Sequence, residues 1–262
     1  MRRALAGCLA LSVAAPPLGV LLVLRRMSLM SDVLQPGVLP GIAIGAALGG
    51  LSVWAMGRGG MAAGLVVALL AGWLARRTGG GEDSQLAGLY LVALAAGVAL
   101  ISAQRGVDLT HLLFGSVLAV DDAALLAMAG AASLTLPVLA LIWRPLLLQS
   151  LDPGFPTGMG GLWHGCFLAL VVLCVVSGFE AMGTLMAVGL MMLPAIAARH
   201  WSGSLAGQVS VAVALAIGAS VVGLLLSYGV EIPAGPAIVL TAGAFWAVSL
   251  VAGPREGVWR RN

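Results

Sequence analysis

RRMSLMSDVLQPGVLPGIAIGAALGG, residues 25–50, decides the fold class. Two arginines and one aspartate stand between apolar runs. Pro36 and Pro40 interrupt the backbone, and Gly41, Gly45 and Gly49 then recur at every fourth position. A helix in water has no use for this combination, whereas a helix in lipid does. The arginines mark an interface, and Asp32 is a costly charge close to it. Each proline removes a donor, frees a carbonyl and kinks the helix. The glycine stripe admits a neighbouring helix at close range. The segment reads as the mouth of a transport path.

The rest of the composition agrees. The chain of 262 residues is 61% hydrophobic and 9% charged, where a soluble domain carries about a quarter. Its mean hydropathy is +1.08. The apolar runs are too long and too many for core helices, which makes the chain an all-α, polytopic integral membrane bundle read as one domain over residues 1–262. All 13 basic residues are arginines, and no arginine cluster is interleaved with aromatics. The net charge of +3 therefore carries topology, and nucleic acid is not an expected partner. Cys8, Cys166 and Cys174 lie in apolar runs without metal-type spacing and read as packing residues. The N-terminus resembles a signal peptide, but its apolar run is long, contains Pro16-Pro17 and ends on Arg25-Arg26, so a retained first helix is expected.

Nine spans are expected, at residues 5–24, 33–56, 61–75, 86–103, 123–143, 166–178, from there to 198, 205–228 and 237–251. The count becomes eight if residues 166–198 divide differently. Residues 78–83 form a solvated loop. Residues 104–120 are too polar at their start to cross alone and read as a re-entrant or interfacial piece. Asp121 and Asp122 cap the fifth span. Residues 144–164 read as a long non-spanning connection containing Pro145, Pro153 and Pro156. With the N-terminus outside, nine of the 13 arginines are cytoplasmic, which orients the chain. Arg2 and Arg3 argue the other way. The connection at 144–164 then faces the cytoplasm, and Glu180 and Glu231 face outward.

Four stretches resemble, in order, the zinc/manganese-type permeases of ATP-binding-cassette importers. Residues 25–41 are similar to that family's RRM…D…LPG segment, and HLLFGSVLAV at 111–120 to its YLFG-x-x-LAV box. EAMGTLMAVGLMMLPAIAAR at 180–199 is similar to its LPAAxAR segment, and residues 223–257 resemble its PxGPxIVL terminus. The resemblance implies a divalent metal as substrate and no permanently bound cofactor. It also implies a separate cytoplasmic ATPase, an extracytoplasmic metal-binding protein, a homodimer or heterodimer of permeases, and a prokaryotic inner membrane. One departure stands out. Where the family carries histidine four residues after the aspartate, this chain has Pro36, preceded by Gln35. The Asp/His pair suited to zinc or manganese is absent, and a path using Asp32, Gln35 and freed carbonyls suits harder cations.

The candidate metal residues are Asp32, Gln35 and Glu180. An intramembrane carboxylate is functional by default; the alternative for Asp32 is a cap or a partner for Arg25 or Arg26, and for Glu180 an interface residue exposed to water. Asp108 and His111 would share a helical face, and an interfacial hydrogen-bonded pair is the preferred reading. His164 and His200 read as interface anchors, Glu231 as solvated, and Met186, Met191 and Met192 as packing residues. The resemblance makes Leu151, Asp152, Pro153 and Phe155 the element that couples to the ATPase. The chain lacks lysine and so has no Walker-A motif of its own, leaving energy to a partner. A stand-alone secondary transporter or channel would need charged intramembrane relays and a visible repeat, an intramembrane metalloprotease an HExxH motif, and importers of chelates are usually longer.

Overall fold

Long apolar runs with few donors outside the backbone leave helix as the way to satisfy every N–H and C=O in lipid. The computed structural model describes residues 2–25, 27–50, 52–78, 82–102, 121–151, 160–230 and 232–255. Among them are nine helices and no strand. They are α1 (Arg2–Leu24), α2 (Ser28–Gly49), α3 (Val53–Thr78), α4 (Glu82–Ser102), α5 (Asp122–Leu151), α6 (Gly160–Met182), α7 (Thr184–Arg199), α8 (Leu205–Val230) and α9 (Ala234–Ala252). Six contain stretches long and apolar enough to cross a membrane; α2, α4 and α7 contribute shorter apolar pieces. Leu48, Leu141 and Tyr228 are 85%, 76% and 77% exposed, an outer surface that suits lipid rather than water.

Successive helices reverse direction. Gly19 of α1 touches Met191 and Ala195 of α7, while Leu11 lies beside the α6–α7 junction at Gly178 and Ala187, so α1 and α7 run the same way. Gly189 against Val239 and His200 against Gly253 align α7 with α9. Arg3 pairs with Asp122 at 3.2 Å where α1 and α5 begin. At the other end Arg25 reaches Leu146 near the end of α5 and His164 near the start of α6. Arg25, Arg144, Arg199 and Arg255 thus share one end of the bundle, the end that the positive-inside rule expects to be cytoplasmic.

Helices α2, α3 and α4 form one group, and α1, α7, α8 and α9 another. Helix α6 lies between them against α1, α2, α3, α5 and α7. The glycine stripe does what its spacing promised. Gly41 and Gly45 meet the backbone of α3 at Gly59 and Ala55. Few hydrogen bonds cross the core: Ser12 and Ser220 lie 2.8 Å apart, joining α1 to α8, and Thr135 sits 3.5 Å from the Cys174 sulfur, joining α5 to α6.

Two expectations need correction. The 144–164 connection is mostly helix: α5 continues through Arg144 and Pro145 to Leu151, and α6 begins at Gly160. Pro145 removes one N–H, but Leu146 beside it is fully buried, and that packing keeps the turn in register. The third helix starts at Val53 rather than 61, because Gly59 and Gly60, which look like breakers, are the close-contact face for α2 and α6. Pro36 and Pro40 stand inside one helix, α2, from Ser28 to Gly49.

Candidate functional site

The sequence places the site on α2 and at the end of α6. Asp32 lies in the second turn of α2, and Gln35 follows within one turn on the same face. Pro36 and Pro40 lie inside the helix, so the carbonyls of Asp32 and Pro36 lack the N–H that would normally come from four residues on. One short stretch therefore concentrates a carboxylate, an amide and two backbone oxygens without intrahelical donors. These are hard ligands of the kind that suit manganese or another oxygen-preferring cation. Pro36 itself is buried, and the side chains of Asp32, Gln35 and Glu180 lie outside the described set.

Glu180 belongs to the last turn of α6. Gly183, with φ of 88°, breaks the chain there, a left-handed conformation that glycine adopts without strain. Its N–H closes α6 on the Phe179 carbonyl at 2.9 Å, and α7 starts at Thr184.

The register between α2 and α6 separates the two candidates. Val38 and Val172 both pack on Gly64 of α3, and Ile42 and Val176 both pack on Gly60. α2 and α6 therefore run parallel, and Glu180 stands level with Ala46. That is about 20 Å along the axis from Asp32, at ~1.5 Å per residue. The two carboxylates are not ligands of one ion; Asp32 lies toward the Arg25 end of the bundle and Glu180 toward the opposite end. Leu34, Val38, Ile42, Val172, Val176 and Phe179 fill the space between with buried apolar side chains. Among the described residues no group of three His, Cys, Asp or Glu side chains could hold a metal.

An apolar groove of about 320 Å³ lies in the outer half between α3, α5 and α6. Arg58 and Ser177 are its polar lining, and Arg58 donates to the Trp54 carbonyl at 3.1 Å. A guanidinium on the wall disfavours a cation there.

Other sequence-flagged residues fall as follows. His164 is not a free interface anchor: its Nδ1 lies 3.1 Å from Arg25. His200 caps α7 and is buried, with Nδ1 lacking a partner among the described residues. Met186, Met191 and Met192 are buried in the core, as packing residues should be. Leu151 ends α5. Asp152, Pro153, Phe155, Asp108, His111 and Glu231 lie outside the described residues. The node at Arg25 was missed in the sequence, where an arginine after an apolar run reads only as a boundary mark.

A bundle of reversing apolar helices with a largely apolar exposed outside defines a multi-pass membrane protein. Residues 1–253 match the model of the ABC 3 transport family, and the chain belongs to that family. It is 32% identical over 260 residues to the manganese import system permease protein ScaB of Streptococcus parasanguinis, covering 98% of this chain and 91% of that protein. It is 29% identical over 254 residues to a probable iron transport system membrane protein of Haemophilus influenzae, covering 95% and 92%. Its fold superimposes on a chain of PsaBC from Streptococcus pneumoniae, solved in complex with Fab, with a TM-score of 0.86 and 28% identity, covering 97% of this chain and 92% of that one. The bacterial relatives and the spans together make it a multi-pass prokaryotic membrane protein.

Proposed function

We propose that the chain is the membrane-spanning permease of an ATP-binding-cassette importer whose cargo is a bare divalent metal ion, manganese(II) in preference to zinc. The observation that carries the choice of metal is Pro36 inside α2. It removes the imidazole of an Asp/His pair that could serve zinc or manganese and leaves oxygen donors, which manganese(II) accepts more readily than zinc does. The relatives named for manganese and iron import support the same class of cargo. The metal is cargo rather than a resident cofactor.

The solid apolar interior between Asp32 and Glu180 supports a path along the outside of one bundle, closed by a second permease copy, identical or related. The ion arrives from an extracytoplasmic metal-binding protein, passes the level of Glu180, and leaves near Asp32. Energy comes from a separate cytoplasmic ATPase that engages Leu151, Asp152, Pro153 and Phe155, which lie in sequence between α5 and α6. The chain itself performs no hydrolysis and acts as the switched passage.

Uptake in vesicles holding permease and ATPase, with radiolabelled manganese challenged by unlabelled manganese, zinc or iron(II), tests the reading. Manganese competes at least about tenfold better than zinc. Stronger competition by zinc would refute the assignment from Pro36.

A further inference from the structure

We propose that Arg25 is a positioning residue for transport: its guanidinium clasps both arms of the α5–α6 hairpin and ties them to the mouth of α2. One amino nitrogen of Arg25 lies 3.1 Å from His164 Nδ1 on α6. The other donates to the Leu146 carbonyl of α5 at 3.1 Å. The guanidinium also covers the Phe167 ring of α6 at 5.3 Å. Arginine only donates, so His164 Nδ1 accepts and that ring is neutral in this arrangement.

An arginine that served only as a boundary mark would extend its head into water. Arg25 is instead partly buried, and desolvation holds its pKa below the ordinary arginine value. The fork and the ring contact use what separates arginine from lysine, two parallel donors on a flat cation. Leu146 stands five residues before Leu151, and His164 stands nine after Phe155. The clasp therefore holds both arms just behind the hairpin tip.

The connection from Arg25 to α2 is short and closed. The Arg25 N–H bonds the Leu21 carbonyl at 3.0 Å, and the Met27 N–H bonds the Leu22 carbonyl at 2.9 Å. Helix α2 begins at the next residue, Ser28, and Asp32 follows within its second turn. Movement of the hairpin reaches the start of α2 through one side chain and one tight turn. This rests on the proposed engagement of the ATPase at that hairpin tip, and the test separates the two.

Arg25→Lys and Arg25→Gln are made in the permease and assembled with the ATPase. Lysine keeps the charge that orients the chain but cannot supply the fork. Expected for Arg25→Lys is a fall of about tenfold in metal moved per ATP hydrolysed, with assembly and ATP hydrolysis within about twofold of wild type. Hydrogen exchange on the permease alone is read in parallel. In Arg25→Gln the amides of residues 28–35 exchange about tenfold faster, and those of α8 are unchanged. Wild-type metal per ATP in Arg25→Lys, or unaltered exchange at 28–35 in Arg25→Gln, overturns the clasp. If the wild-type complex moves no metal with ATP, the transport reading fails, and the exchange measurement still decides whether the clasp exists.

Discussion

Alanine at Gly41 puts a number on the contact that organises the bundle. A Cβ built there meets the Gly59 carbonyl oxygen, and stands 2.5 Å from the Ala63 Cβ and 2.7 Å from the Gly59 carbonyl carbon. Ordinary carbon–carbon contact is about 3.5–4.0 Å, so α2 and α3 must part by about 1 Å. The obstacle is mostly backbone, which cannot turn aside as a long side chain can. Overpacking of this kind costs about 1–3 kcal/mol. Lipid-exposed helices gain nothing from separating into lipid that offsets lost packing, because association in the membrane depends on that close fit. Gly243 in α9 provides the opposite sign. No atom lies within 4 Å of its added Cβ, so alanine there gains about 0.5–1 kcal/mol of helix propensity. At about 2–4 °C per kcal/mol for a chain of this size, the two variants separate by about 3–16 °C in Tm in one detergent. Tryptophan fluorescence or thermal size-exclusion measures it. A Gly41→Ala variant as stable as Gly243→Ala would refute the close-approach reasoning.

Three further outcomes follow from particular contacts. The Ser12–Ser220 hydrogen bond gives a coupling of about 0.6 kcal/mol in a double-mutant cycle with alanine, read from thermal unfolding; zero coupling removes it as a link between α1 and α8. Asp32→Asn lowers metal uptake by about tenfold while expression and ATPase binding persist, because the carboxylate charge leaves the oxygen-rich stretch without changing its shape; full uptake takes Asp32 out of the path. Phe155→Ala with Asp152→Ala lowers co-purification of the ATPase by about tenfold and leaves permease Tm within about 2 °C; unchanged co-purification moves the docking element elsewhere.

Most of the bundle was legible because its signals are local. Apolar runs, arginines at their ends and the four-residue glycine repeat all speak within one helix length, and α8 and α9 lie almost where the hydropathy puts them. Positions that depend on a distant partner were harder to read. Pro145 looks like a stop until Leu146 is seen buried beside it. Gly59 and Gly60 look like a loop until α2 supplies the matching face. Arg25 looks like a boundary charge because its acceptors stand more than a hundred residues away. The candidate metal residues were legible as chemistry, since a carboxylate beside two helix prolines is unusual in lipid. That Asp32 and Glu180 lie about 20 Å apart follows only from the packing of α2 and α6 on α3.

The decisive measurement is metal uptake into vesicles that contain the permease with its ATPase, compared with vesicles holding the permease and a hydrolysis-dead ATPase. Manganese accumulation that requires ATP and the active ATPase, and that ignores the collapse of ion gradients, is the expected result. Equal accumulation with the dead ATPase, driven by a proton or sodium gradient, would contradict the reading of this chain as a passage switched by a separate ATPase.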